Sequence, residues 1–238
     1  MSSRFLNRLP VVGPLIQFRS NTYIRHNQRR LEHLASLNLP INGKSVLELG
    51  AGIGDHTSFF LDRGCTVTAV EARPRNVSLM RKRFGDRIKV ITADVMELDR
   101  YQIPPAQIIH CYGLLYHLSR PLDALRWMAD HCLELCLLET CVSFGDEQAV
   151  NLVSEIKASP TQAADGTGCR PTRSWVVGSL KRFFPHVYVT TTQPWHEQFP
   201  TDWSSAPPQG LSRAVFVASR AALDSNLLSA VILSRQTR

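Results

Sequence analysis

The chain has 238 residues, 44% of them apolar and 20% charged, which excludes an intrinsically disordered tail. Its length also excludes a mini-protein that needs staples to hold a core. The formal charge is +7, and residues 1–44 carry Arg4, Arg8, Arg19, Arg25, Arg29, Arg30 and Lys44 against Glu32 alone. The rest is nearly neutral, which argues against a fold coated for nucleic acid and leaves room for a local anionic partner.

The first residues, Arg4 and Arg8 before Val11-Val12-Gly13-Pro14-Leu15-Ile16, faintly resemble a signal peptide. The apolar part is short, contains Pro14 and lacks a small-residue cleavage site. No run of about 18 apolar residues follows, so no membrane span is expected. Cysteines 65, 111, 132, 136, 141 and 169 lie mostly inside apolar runs and read as small buried hydrophobes in a reduced, cytoplasmic protein.

Residues 21–37 read as a helix capped by Asn21 or Thr22, with Ile24, Leu31, Leu34 and Leu37 on one stripe. Ser45 to Leu49 is a short apolar strand entering a glycine-rich turn. A helix over 56–63 stops at Gly64, and a strand runs from Thr66 to Val70. Pro74 opens a helix that Gly85 closes. Strands follow at 88–92 and 107–112, then a helix from Arg120-Pro121 to about Cys132, then an apolar strand over 134–142.

This alternation predicts an α/β fold with a doubly wound, mostly parallel sheet and helices on both faces. Residues 144–170 read as a polar insert or lid with a short helix. A helix over 171–184 and strands at 187–192 and 214–219 complete the pattern. Between those strands, loop 193–212 carries Trp195, His196, Phe199 and Trp203, which suggests a packed or binding wall. The expected organisation is a basic arm (1–44), a cofactor domain (45–220) and a tail (221–238) forming a frayed or docked helix.

Glu48-Leu49-Gly50-Ala51-Gly52-Ile53-Gly54-Asp55 joins a strand to a helix. Glycines there permit positive φ and let a ligand approach the backbone. A dinucleotide turn would aim its helix at a pyrophosphate, yet Asp55 stands where the third dinucleotide glycine belongs. Repulsion of a unit-charge pair at 4 Å is about 4 kcal/mol at an effective dielectric near 20. S-adenosylmethionine, with no phosphate, an ammonium and a sulfonium, fits better. Glu71, followed by Ala72, ends the next strand and can accept from two ribose hydroxyls. Asp94 after the third strand can accept from an adenine amino group, with Val95 against the ring.

Residues 45–143 thus resemble the class I S-adenosylmethionine-dependent methyltransferases, with Glu48, Gly50, Gly52 and Gly54 as the E-x-G-x-G-x-G signature. Gly113-Leu114-Leu115-Tyr116-His117-Leu118 resembles a stretch found in one branch with small-molecule, sugar and wobble-uridine-modifying members. The resemblance implies a seven-stranded sheet with a reversed last strand, S-adenosylmethionine as methyl donor and S-adenosylhomocysteine as product. The acceptor does not carry over.

Methyl transfer to a hydroxyl needs an in-line acceptor and a base, and His117 beyond the fourth strand is the candidate. Tyr112 is expected over the methionine part of the cofactor and Tyr116 near the acceptor. Glu139, Arg170, Arg173, Trp175 and His196 are further acceptor-side candidates, the arginines beside Trp175 as a clamp for an acidic or glycan group. No metal is predicted: no C-x-x-C or H-x-x-x-H spacing occurs, though magnesium stays open.

The expected function is O-methylation of a small-molecule or sugar-like acceptor. The alternatives are a tRNA or other nucleic-acid methyltransferase using the basic arm, and a non-catalytic cofactor binder. A homodimer is a further expectation, because such arms often pack over the site or against a partner subunit.

Overall fold

The structure is a computed structural model that describes residues 13–159, 161–163, 166–206 and 210–238. Arg4, Arg8, Val11 and Val12 lie outside the described residues.

The arm folds as α1 (Pro14–Phe18) and α2 (Asn21–Ser36). The cap of α2 is Ser20, one residue before the expected position: its backbone is extended and its Oγ accepts from the Tyr23 amide at 3.3 Å. There follow β1 (Ser45–Leu49), α3 (Thr57–Leu61), β2 (Thr66–Glu71), α4 (Pro74–Phe84), β3 (Lys89–Thr92), β4 (Ala106–Tyr112), α5 (Pro121–Asp130) and β5 (Cys132–Val142). The chain continues with β6 (Val150–Ser154), β7 (Thr167–Pro171), α6 (Arg173–Lys181), β8 (His186–Thr190), β9 (Ser212–Ser219) and β10 (Leu228–Ser229).

The main sheet has the order β10-β8-β9-β5-β4-β1-β2-β3. Strands β1 to β5 are parallel, and β9 runs against both β5 and β8. That is the expected doubly wound sheet with its reversed strand, plus an eighth strand, β10, from the tail. The tail therefore contributes an edge strand where a helix was expected. Its backbone finds partners at the sheet: β10 pairs with β8, and Gln236 Nε2 donates to the Thr190 carbonyl at 2.5 Å. The insert likewise holds an antiparallel hairpin, β6–β7, in place of a short helix. The hairpin packs on the turn after β4, where a Cβ on Gly168 would lie 2.5 Å from the Tyr116 carbonyl oxygen.

Alternation along the strands assigns two cores. Leu47, Leu49, Ile109, Cys111 and Leu138 face α5 and α6, with Trp127, Val176 and Leu180. Val46, Ile108, Leu135 and Leu137 face α2, α3 and α4, with Leu34, Phe60 and Met80. Glu48, His110, Tyr112 and Glu139 fall by the same parity on the second face, under the arm. All six cysteines are free and buried. No helix among the described residues is long and apolar enough to cross a membrane.

Candidate functional site

Sheet order reverses between β1 and β4, and there a cleft opens beyond the carboxyl ends of the strands. Gly50 and Gly52 form its floor, and Glu71, Ala72, Asp94 and Val95 one wall. Gly113, Leu114 and His117 form the opposite wall. Phe18 and Tyr23 from the arm and Thr161, Gln162 and Ala163 from the insert lie over it. Gln17 Nε2 donates to Thr161 Oγ1 at 2.5 Å, so the arm and the insert meet above the cleft.

The glycine turn requires its glycines. Gly50, Gly52 and Gly54 have φ of +67°, +59° and +80°. Their surroundings differ. A Cβ on Gly50 would meet Leu114 Cδ1 at 2.9 Å, and one on Gly52 would meet the Phe18 ring at 3.0 Å. On Gly54 it would strike Phe84 Cε2 at 2.4 Å, so this glycine serves packing of α4 and does not face the cleft.

Glu71 is buried at the cleft wall. Its Oε2 accepts from the Gly52 amide at 2.9 Å, and its Oε1 from the Arg73 amide at 2.9 Å and Asn76 Nδ2 at 3.2 Å. Burial raises its carboxyl above the ordinary range, opposed by those hydrogen bonds. Asp94 caps the turn that follows it, accepting from the Met96 amide at 2.9 Å, and also lines the cleft.

Glu48, Ala51 and Tyr112 line a neighbouring cavity of about 360 Å³ with Tyr23, Asn27, Arg30, His56 and His110. Burial pushes the Glu48 carboxyl up to about 7, against the hydrogen bond it accepts from Thr57 Oγ1 at 2.6 Å. The Tyr112 hydroxyl is buried there without a partner. Glu48, His56 and His110 offer three metal-ligand atoms within 4.8 Å of one another. Yet His56 Nδ1 and His110 Nε2 already bond each other at 3.1 Å, and His56 Nε2 donates to Asn27 Oδ1 at 3.1 Å. Burial, His110 and the Arg30 charge hold His56 well below its ordinary pKa. His56 and His110 form a neutral hydrogen-bonded pair beside the Arg30 guanidinium, which opposes a cation.

His117 sits in a short turn after β4, its ring 3.9 Å from that of Tyr116. Its Nδ1 contacts Glu155 Oε2, a residue that sequence reasoning missed. Glu155 follows β6 in a polar insert with no periodicity, so no local signal marked it. Burial lowers the pKa of His117, and the Glu155 contact partly offsets this, so the ring is neutral near pH 7.

The acceptor-side candidates are dispersed. Glu139 is fully buried and holds Arg30 at 2.6 Å and Arg213 at 3.1 Å. Arg213 also donates to the Tyr116 hydroxyl at 3.0 Å. Arg170 donates to the Tyr116 carbonyl at 3.1 Å and faces Glu155 Oε1 at 3.4 Å. Arg173 turns away from the cleft, donating to the Leu233 carbonyl at 2.8 Å and stacking 3.8 Å over Trp203. Trp175 packs against the core under α6. His196 is buried and stacked on His26 at 4.6 Å. The expected arginine clamp beside Trp175 is therefore not assembled, because Arg170 and Arg173 each bind backbone of a different neighbour.

Among the described residues, the arm's cations face carboxylates. Arg19 pairs with Asp55 at 3.1 Å, Arg25 with Glu197 at 2.7 Å, Arg29 with Glu32 at 2.6 Å and Lys44 with Glu134.

Residues 23–162 match the family model of a methyltransferase domain. Among curated proteins, the chain is 31% identical over 188 residues to a tRNA U34 carboxymethyltransferase of Vibrio atlanticus, covering 74% of this chain and 54% of that protein. It is 45% identical over 69 residues to ribosomal RNA small subunit methyltransferase A of an Anaeromyxobacter species, covering 29% of this chain and 24% of that protein. The matches thus span between a quarter and about half of those relatives. Among solved structures, the N-terminal domain of EvdMO1 with SAH bound aligns with a TM-score of 0.63 at 19% identity, over 81% of this chain and 80% of that one. The Burkholderia thailandensis 1,6-didemethyltoxoflavin-N1-methyltransferase aligns at 0.56 and 20% identity, over 84% of this chain and 78% of that one. At such identities the structural likeness shows the fold.

Proposed function

The chain belongs to the class I methyltransferase family, and from that membership we propose that it moves a methyl group from S-adenosylmethionine to a hydroxyl of a small-molecule or sugar-like acceptor. One observation carries the reading: a single cleft joins Gly50 and Gly52 of the glycine turn, the Glu71 and Asp94 carboxylates and the neutral His117 ring. The residues fit the donor. Gly50 and Gly52 leave room that side chains would fill, and Glu71 suits a ribose diol. The unpartnered Tyr112 hydroxyl in the adjoining cavity awaits a polar group.

When bound, the donor supplies a methyl carbon on a sulfonium, open to in-line attack. The chain's own residues do the rest. Glu71 and Asp94 hold the nucleoside, while Phe18, Tyr23 and the 161–163 segment exclude water. His117 takes the acceptor proton at Nε2, the nitrogen that Glu155 leaves with a lone pair.

A second reading, an RNA acceptor, draws on the names of the curated relatives. Against it, the described arm cations already face carboxylates. Calorimetry with S-adenosylhomocysteine, NAD and bulk tRNA separates these. Micromolar binding of S-adenosylhomocysteine alone supports the proposal, and binding of NAD alone sinks it. Salt-sensitive tRNA binding moves the acceptor to RNA.

A further inference from the structure

The insert hairpin carries a buried carboxylate that reaches beyond the hairpin to the turn after β4. Glu155 follows β6, and its side chain is 5% exposed although the hairpin lies on the surface. Such burial of a carboxylate requires partners. Oε2 meets His117 Nδ1 and accepts from the Ala163 amide at 2.8 Å, and Oε1 faces Arg170 at 3.4 Å. Gly168 on the facing strand leaves the space: a Cβ there would lie 2.7 Å from Glu155 Oε1.

We propose that Glu155 is a positioning residue for His117, and that the insert hairpin thereby completes the site by locking the imidazole in the Nδ1–H tautomer. This rests on His117 being the base. A carboxylate only accepts, so His117 Nδ1 bears the hydrogen and Nε2 the lone pair. In the step it serves, the acceptor O–H bond breaks and its proton goes to Nε2. The oxygen pair forms the bond to the methyl carbon, and the carbon–sulfur pair leaves with sulfur. Glu155 stays ionised throughout and offsets the imidazolium. Burial raises its carboxyl, but the His117 contact, the Ala163 amide and the Arg170 charge outweigh this and leave it below the ordinary range. The charged groups facing His117 are Glu155, Arg170 and Arg213, and the ring of Tyr116 covers it.

The test needs no acceptor. Imidazole nitrogen NMR of the full chain reads tautomer and pKa of His117 in the wild type, Glu155→Gln and Glu155→Ala, assigned against His117→Gln. The wild type should show Nδ1–H and a lone pair at Nε2. Glu155→Gln keeps an acceptor and should retain the tautomer with a lower His117 pKa, because a negative charge is gone. Glu155→Ala should give mixed tautomers. S-adenosylhomocysteine affinity should stay within about threefold in both variants. An Nε2–H ring in the wild type, or no change in tautomer or pKa in either variant, overturns the proposal. Loss of cofactor binding with unchanged His117 signals does so too, since Glu155 would then be structural. Failure of the wild type to bind S-adenosylhomocysteine would count against the methyltransferase reading alone.

Discussion

The cofactor half of the cleft and the half covered by the arm are built differently. Glu71 reaches Arg73, Asn76 and Gly52 within 2, 5 and 19 residues of itself, all between the turn after β1 and the first turn of α4. On the other half the ties are distant: Arg30 to Glu139 spans 109 positions, Arg213 to Tyr116 spans 97, and Glu155 to His117 spans 38. A ligand grip that every relative of a fold must keep can be encoded locally. A surface that differs between acceptors is assembled from segments far apart in the chain, and its polar contacts must be buried to hold them.

The sharpest way to break this comparison is at Glu139. Its carboxylate is 0% exposed and lies between two guanidiniums of 4% and 6% exposure. Removing one member of a buried ion set leaves uncompensated charge and costs about 3–5 kcal/mol. Glu139→Ala should lower Tm by about 6–20 °C, at about 2–4 °C per kcal/mol for a chain of this size. A drop under about 2 °C would mean that the arm is held by its apolar stripe alone.

The cofactor half is tested at Gly54. An alanine there carries the left-handed cost of about 1–2 kcal/mol, with a further 1–3 kcal/mol for pressing Phe84 and Met80 aside. Gly64 is the control: its φ is +69° but nothing lies within 4 Å of an added Cβ. Gly54→Ala should therefore destabilise by about 2–5 kcal/mol and Gly64→Ala by about 1–2, read from urea midpoints. Equal losses would remove packing against α4 from the explanation.

The same contrast decides what could be read from sequence. The sheet was legible because Val46 and Leu47, or Ile108 and Ile109, alternate between two cores, and the glycine turn because positive φ has few solutions. Glu71 and Asp94 were legible by position after a strand. Glu139 was placed at the correct strand end but given the wrong neighbours: its parity with Leu137 points under the arm, and nothing local puts Arg30 there. Arg30 was one of several basic residues of the arm, with nothing in the sequence to set it apart. The hairpin and β10 were missed because their pairing partners, not their own periodicity, make them strands.

Acid separates the two halves by a smaller margin. Buried neutral histidines gather under the arm: His26 and His33 on α2, with His56, His110 and His196 facing them. His33 is the cleanest case. Its Nε2 lies 3.1 Å from the Thr192 carbonyl oxygen and so bears a hydrogen, while its Nδ1 is buried without a partner. Protonation would place a second donor, and a charge, in that dry position. Burial accordingly lowers its pKa from 6.5 to about 4, against the Thr192 bond. A histidine depressed in the folded state contributes stability that is full above its unfolded pKa of 6.5. That stability is lost as pH falls from there toward 4, because the unfolded chain binds the proton first. Between pH 7 and 5 the loss from His33 is roughly 2 kcal/mol. Its neighbours under the arm act in the same direction. Urea midpoints at both pH values for the wild type and His33→Gln measure it: the variant should be weaker at pH 7 yet lose about 2 kcal/mol less on acidification. Hydrogen exchange at pH 5 should then show α2 amides opening before those of β1 and β4. Uniform opening of all three would place the acid-sensitive groups in the sheet and erase the difference between the halves.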